Sequence, residues 1–243
     1  MAKGSFRSNF IGIILTCFLA VLFRTFLFEP FHIPSSSMKP NLLIGDYVFV
    51  NKMSYGYSKY SIPFHPDFIS GNIFQKLPKR GDIVVFVPPK DVNSYYVKRV
   101  IGLPGDFVEI KNRKLFVNDV EMKLSEDGEF YDYVESVGKL KFNRFVEENI
   151  DGRKYDIMYS DGFQSLFDEK YIVPDDSLFL MGDNRDNSLD SRFLDVGFIP
   201  VNNLVGKVSI IGFSFNEKGE KSPDMKSKIM NFIRFNRIFH SVN

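Results

Sequence analysis

Three segments of this chain concentrate hydroxyl, amine and carboxylate groups. The first, Ile33-Pro34-Ser35-Ser36-Ser37-Met38-Lys39-Pro40, sets three serines between two prolines. A proline disfavours helix at the residue before it, so the run is extended or turning, and small hydroxyls there cap or bind backbone. Serine clusters of this kind are ordinarily loops. The second is Tyr95-Tyr96-Val97-Lys98-Arg99-Val100-Ile101. As a strand it puts Lys98 on one face with Tyr96 and Val100, and Arg99 on the other with Val97 and Ile101. If one face packs on a core, one of the two cations is desolvated; otherwise both stems reach to water. A desolvated lysine has a lowered pKa and, once neutral, can act as a general base, whereas arginine stays charged. The third is Gly182-Asp183-Asn184-Arg185-Asp186-Asn187-Ser188-Leu189-Asp190-Ser191-Arg192. Its Asx and Ser side chains suit a tight loop, with either an Asp–Arg pair supporting a site or solvated surface charge. A calcium loop counted from Asp183 needs Gly at its sixth position and Glu at its twelfth, but Ser188 and Leu194 stand there.

Other chemistries are disfavoured. Cys17 is the one cysteine, which excludes an intramolecular disulfide and a multi-cysteine zinc site. His32, His65 and His240 share no metal-ligand spacing, so no metal and no cofactor is expected. A net charge of +1 argues against a mainly electrostatic nucleic-acid binder. With 243 residues, 44% of them hydrophobic and 25% charged, the composition suits one large or two small folded domains, not a disordered chain or a polytopic membrane protein.

The elements that must position these groups begin with a membrane anchor. Residues 10–28 are apolar apart from Thr16, Arg24 and Thr25. At about 1.5 Å per residue, a helix of this length nearly crosses a hydrocarbon core of about 30 Å. Arg24 lies near the end of the run, where it can snorkel to the headgroups. Lys3 and Arg7 precede the run, so residues 1–9 are expected in the cytoplasm and the chain from residue 30 onward across the membrane. A cleaved signal peptide is the alternative, but the small pair Ser35 and Ser37 sits well downstream of the apolar run. A buried soluble helix would also be apolar around its circumference.

Beyond the anchor the chain reads as mainly β. Short runs rich in Val, Ile, Phe and Tyr recur at 47–50, 83–87, 95–101, 107–110, 114–117, 177–181 and 205–215, most of them separated by Gly, Pro, Asn or Asp. Leu103-Pro104-Gly105-Asp106 suits a type II reversal. No repeat and no long helical pattern follows Pro40. The expectation is an antiparallel β ectodomain over 29–215, with the charged and aromatic stretch 112–172 forming an inserted β subdomain or long hairpins. Residues 216–243 form a basic tail. Ile229, Phe232, Ile233 and Phe239 could share a helical face at the membrane interface, or the segment could pack on the domain as a short helix or fray.

Taken in order, the segments resemble a known family. A membrane anchor followed by Pro34-Ser35-Ser36-Ser37-Met38-Lys39-Pro40, then Arg80-Gly81-Asp82-Ile83-Val84-Val85-Phe86, Tyr96-Val97-Lys98-Arg99-Val100-Ile101-Gly102-Leu103-Pro104-Gly105-Asp106 and the 182–192 loop closely resembles bacterial type I signal peptidase (leader peptidase) from about Glu29 to Gly212. The resemblance implies Ser37 as nucleophile and Lys98 as general base. It implies Ser35 as a hydroxyl that helps the Ser37 N–H bind the oxyanion, and Ser188 as a residue orienting the lysine. Asp190 and Arg192 would be a supporting ion pair with Asp183 nearby, while Ile33, Pro34 and Tyr96 would belong to a small apolar substrate pocket. The implied substrates are signal peptides of exported preproteins with small residues at the first and third positions before the cut. The implied setting is the bacterial cytoplasmic (inner) membrane, with a single-pass chain touching lipid and its catalytic domain on the outer, periplasmic side. Asn41 stands where Thr is common, and the basic tail lies outside the matching pattern.

Two rivals stand beside this reading. Ser36-Ser37-Met38-Lys39 contains the S-x-x-K of penicillin-interacting enzymes, but Pro40 disfavours the helical turn it needs and no K-T-G follows. A membrane-tethered binding module would keep the anchor and the β domain and use the Ser and Lys for structure alone.

Overall fold

The computed structural model describes residues 3–62, 71–134, 138–161, 168–216 and 232–242. Helix α1 runs Lys3–Phe26, and its apolar window Asn9–Phe26 is not buried against the rest of the protein. This disposes of the buried soluble helix. The helix stops two residues before the end of the apolar run because Phe28 pairs with Asn51 as the first residue of a strand.

The remainder is antiparallel β, as the patterning predicts. The strands are β1 (Phe28–His32), β2 (Asp46–Asn51), β3 (Ile83–Phe86), β4 (Tyr96–Gly102), β5 (Phe107–Lys111), β6 (Lys114–Val117), β7 (Val120–Glu121), β8 (Lys123–Val134), β9 (Gly138–Glu148), β10 (Lys154–Ser160), β11 (Glu169–Ile172), β12 (Ser177–Met181), β13 (Ile199–Pro200), β14 (Leu204–Ser214) and β15 (His240–Ser241). The principal sheet has the order β1-β2-β14-β3-β4-β12-β13, with β15 added on β14. A second sheet orders β11-β5-β6-β7, and a third orders β10-β9-β8. The stretch 112–172 thus supplies strands to both smaller sheets.

Apolar clusters cover both faces of the principal sheet. Ile83 and Val85 of β3 join a cluster with Val48, Val50 and Ile211, whereas Val84 and Phe86 join one with Val100, Leu178 and Leu180. Ile101, Phe179 and Met181 turn into a third cluster with the β5–β6 hairpin. Two buried faces explain why β3 and β12 are apolar at nearly every position instead of alternating. At the predicted reversal Asp106 N–H donates to Leu103 O (3.0 Å), and Gly105 has φ +81°, the left-handed value that a type II turn requires at its third residue.

The tail departs from an interfacial helix. Ile229 lies outside the described residues. Within 232–242 the chain forms a 3₁₀ turn at Phe235–Arg237 and then β15, which pairs with Ile210 and Ile211. Buried acceptors on the domain draw it back, above all the Asp46 carboxylate, which receives Arg234 and Arg237.

Candidate active site

Strand β4 delivers Lys98 into the sheet opposite Val84 of β3. Because both faces of this sheet are covered, neither cation reaches water: Lys98 is 4% exposed and Arg99 is 0% exposed. The two sides differ in what they offer. Arg99 meets a carboxylate: Nε and Nη2 donate to the two Asp183 oxygens at 2.7 and 2.8 Å, and Nη1 donates to Gly81 O. Its guanidinium also stacks 4.0 Å from the Tyr155 ring centroid. Lys98 meets no carboxylate directly. Its Nζ lies 2.9 Å from Ser37 Oγ and 3.0 Å from Val97 O.

Burial therefore dominates the Lys98 ammonium and lowers its pKa to about 8. Asp190 and Asp183 oppose the shift, while Arg192 adds to it. Each of these carboxylates already holds a guanidinium, Asp190 with Arg192 at 2.8 Å and Asp183 with Arg99 at 2.7 Å, which limits its pull on the lysine. With a pKa of about 8, roughly one amine in ten is neutral at pH 7, against about one in three thousand for an ordinary lysine. Ser37 thus faces an amine that can take its proton.

The serine is held from behind. The segment 35–42 turns tightly, with Lys39 N–H donating to Ser36 O and Leu42 N–H to Met38 O. Asn184 grips it twice, N–H to Ser37 O at 3.0 Å and Nδ2 to Ser36 O at 3.2 Å, and Asn187 Nδ2 donates to Ser36 Oγ. Ser35 Oγ lies 3.2 Å from Ser37 Oγ, on the nucleophile's own turn. Gly182, the residue after β12, is required by proximity: a Cβ there would lie 2.6 Å from Ser37 O and 2.2 Å from Ser188 Oγ. Ser188 is thereby packed beside the turn. Its buried hydroxyl has no hydrogen-bond partner among the described residues, so no bond joins it to Lys98 in this arrangement.

These groups open into a cavity of about 590 Å³ lined by Ile33, Pro34, Ser35, Ser37, Tyr96 and Lys98, with Phe31, Tyr95 and Leu189 at its apolar wall. Ile33, Pro34 and Tyr96 therefore share one space with the hydroxyl–amine pair. Among the described residues no cluster of His, Cys, Asp or Glu could hold a metal ion.

Several contributors were not read from the sequence. Arg99 was treated as the alternative to Lys98, whereas a sheet with two cores buries both; the unbroken apolar runs at 83–87 and 177–181 were the available signal. Asn41 donates to Asp183 Oδ2 (2.7 Å) and Asp156 O (2.6 Å), contacts across more than a hundred residues that no local pattern reveals. Arg185 of the 182–192 loop pairs with Glu147 of β9 at 2.5 and 2.7 Å, both wholly buried, and Tyr155 O–H donates to the same carboxylate. The third sheet is thereby tied to the loop that carries Ser188 and Asp190.

Comparisons with known proteins agree with this geometry. The family model described as signal peptidase, peptidase S26, matches residues 7–213. The signal peptidase I of Rickettsia akari is 37% identical, over 92% of this chain and 88% of its own length. That of Rickettsia canadensis is 39% identical, over 92% and 89%. A crystal structure of a signal peptidase I from Enterococcus faecalis aligns with 28% identity over 55% of this chain and 98% of that one, at a TM-score of 0.33. From the extent of the family match and the identity to these relatives, the chain belongs to the signal peptidase family, peptidase S26.

Proposed function

We propose that this chain is a membrane-anchored serine endopeptidase that removes signal peptides from exported preproteins with Ser37 as nucleophile and Lys98 as base. The observation that carries the reading is the 2.9 Å approach of a buried, unpaired amine to a serine hydroxyl at the wall of an apolar cavity. Serine is a weak nucleophile until a base removes its proton. Neutral Lys98 takes the Ser37 proton as Oγ bonds to the scissile carbonyl carbon. The resulting oxyanion is received by the Ser37 N–H and the Ser35 hydroxyl, donors fixed before the charge develops. When the C–N bond breaks, the Lys98 ammonium returns the proton to the leaving amine. A water then gives its proton to Lys98 and attacks the ester carbon, the ester bond to Ser37 breaks, and Ser37 recovers its proton.

The Ile33, Pro34 and Tyr96 surface favours small apolar side chains next to the cut. Helix α1 spans the cytoplasmic membrane once with residues 1–9 inside, and the β domain works at the outer lipid surface. Only Leu27 separates α1 from β1, so the cavity wall begins within a few residues of the anchor. Ser188, Asp190, Arg192 and Asp183 support the site by packing and by the two ion pairs.

The test is cleavage of an exported precursor in detergent by wild type, Ser37→Ala and Lys98→Met, with folding checked for each. Wild type should cut after a small-x-small sequence, and both variants should lose that cut while remaining folded. Wild-type cleavage by both variants would contradict the assignment.

A further inference from the structure

The C-terminal segment 232–242 lies beyond the region matched by the family model, yet it reaches the back of the turn that carries Ser37. Asp46 closes that turn, and its carboxylate is wholly buried. Leu43 N–H (2.8 Å) and Ser214 Oγ (2.6 Å) donate to it from the domain. From the C-terminal segment Arg237 supplies Nη2 at 2.6 Å and Nε at 3.2 Å, and Arg234 supplies Nη2 at 3.4 Å.

The two arginines then diverge. Arg234 spreads over Ile44 O, Phe215 O and Ser214 Oγ, which joins the far end of the turn to the end of β14. Arg237 Nη2 instead donates to Asn41 O at 2.8 Å. Asn41 is the residue whose amide holds Asp183, and Asp183 holds Arg99 next to Lys98. One guanidinium thus touches both the anchoring carboxylate and the residue that ties the nucleophile's turn to the neighbour of the base. The segment is fastened on its other side, where Phe239 N–H donates to Ile211 O and Val242 N–H to Ser209 O, with Val242 against the core.

We propose that Arg237 is a positioning residue for the peptidase reaction: through the Asn41 carbonyl and Asp46 it sets the distance between Ser37 and Lys98. The C-terminal segment is then a strap completing the active site from behind. This rests on the Ser37–Lys98 reading above. A bidentate guanidinium is needed because one ammonium cannot reach the carbonyl and both carboxylate oxygens together.

The experiment measures kcat and KM on an exported precursor for the full chain in detergent, with Ser37→Ala, Asn41→Ala, Arg237→Lys and the Asn41→Ala/Arg237→Lys double variant run side by side. Arg237→Lys keeps a cation beside Asp46 and so spares the buried carboxylate. It should lower kcat about tenfold with KM within about twofold, since small misplacements of reacting groups act on turnover. The double variant should fall no more than about twofold below Asn41→Ala, because both changes cut one connection. Wild-type kcat in Arg237→Lys, a rise in KM alone, or fully multiplicative losses in the double variant would overturn the proposal. Should Arg237→Lys not fold, Arg237→Gln carries the same expectations. Unimpaired cleavage by Ser37→Ala would instead overturn the underlying nucleophile assignment, whatever Arg237 does.

Discussion

At the scale of single residues, two adjacent cations with similar burial do different work because of what surrounds them. Arg99 is compensated by the Asp183 fork, and Lys98 is not. The sequence carried the types and spacing of Ser35, Ser37 and Lys98. It could not show that Lys98 and Arg99 are buried together, which depends on what covers each face of the sheet. Ser35 lies 3.2 Å from the nucleophile's oxygen and offers the one side-chain hydroxyl on that turn within reach of it. Ser35→Ala should therefore lower kcat by about 10²–10³ with little change in KM, the usual cost of an oxyanion donor. Steady-state kinetics on a precursor read this directly, and a change confined to KM would assign Ser35 to substrate binding instead.

At the scale of elements, the site is a meeting of β4, the end of β12 and the turn leading into β2. Their strands were legible as apolar runs, because packing on both faces leaves few polar positions. The ties between them were not, since Asn41–Asp183 and Arg185–Glu147 join distant segments through single hydrogen-bonding groups. Arg99→Met removes one member of a wholly buried pair and leaves Asp183 without its main cation. Such a change should cost about 3–5 kcal/mol, seen as a lower denaturant midpoint. An unchanged midpoint would mean that Asp183 finds another partner. Gly182→Ala forces a methyl group against Ser37 O and Ser188 Oγ. It should destabilise the fold by about 1–3 kcal/mol and depress kcat, because the turn must move. Full activity with unchanged stability would show that the turn yields at no cost.

At the scale of the whole molecule, α1 is joined to the β domain by charge and backbone, not by a shared core. Glu29 of β1 receives Arg24 of α1 at 2.9 Å and the buried Lys52 at 2.6 Å, while Tyr57 O–H donates to Phe26 O. The apolar clusters of the β domain draw no member from α1. Deleting residues 3–26 should thus leave the denaturant midpoint of the β domain nearly unchanged while releasing the protein from membranes in a flotation assay. Loss of folding would show that the helix contributes to the core after all. The anchor and its charge flanks were plain in the sequence; the return of the tail to Asp46 was not, because a basic, aromatic segment suits a lipid surface as well as a buried carboxylate.

Lys98 as the base of Ser37 is tested most directly by the pH dependence of kcat/KM for precursor cleavage. Burial lowers the Lys98 pKa to about 8, so the reactive amine forms as pH rises through that value. The rate should climb about tenfold per pH unit below the midpoint and level off above about pH 9, on a single limb centred near 8. A rate independent of pH between 6 and 10 on the same folded enzyme, or one that falls over this range, would contradict the account.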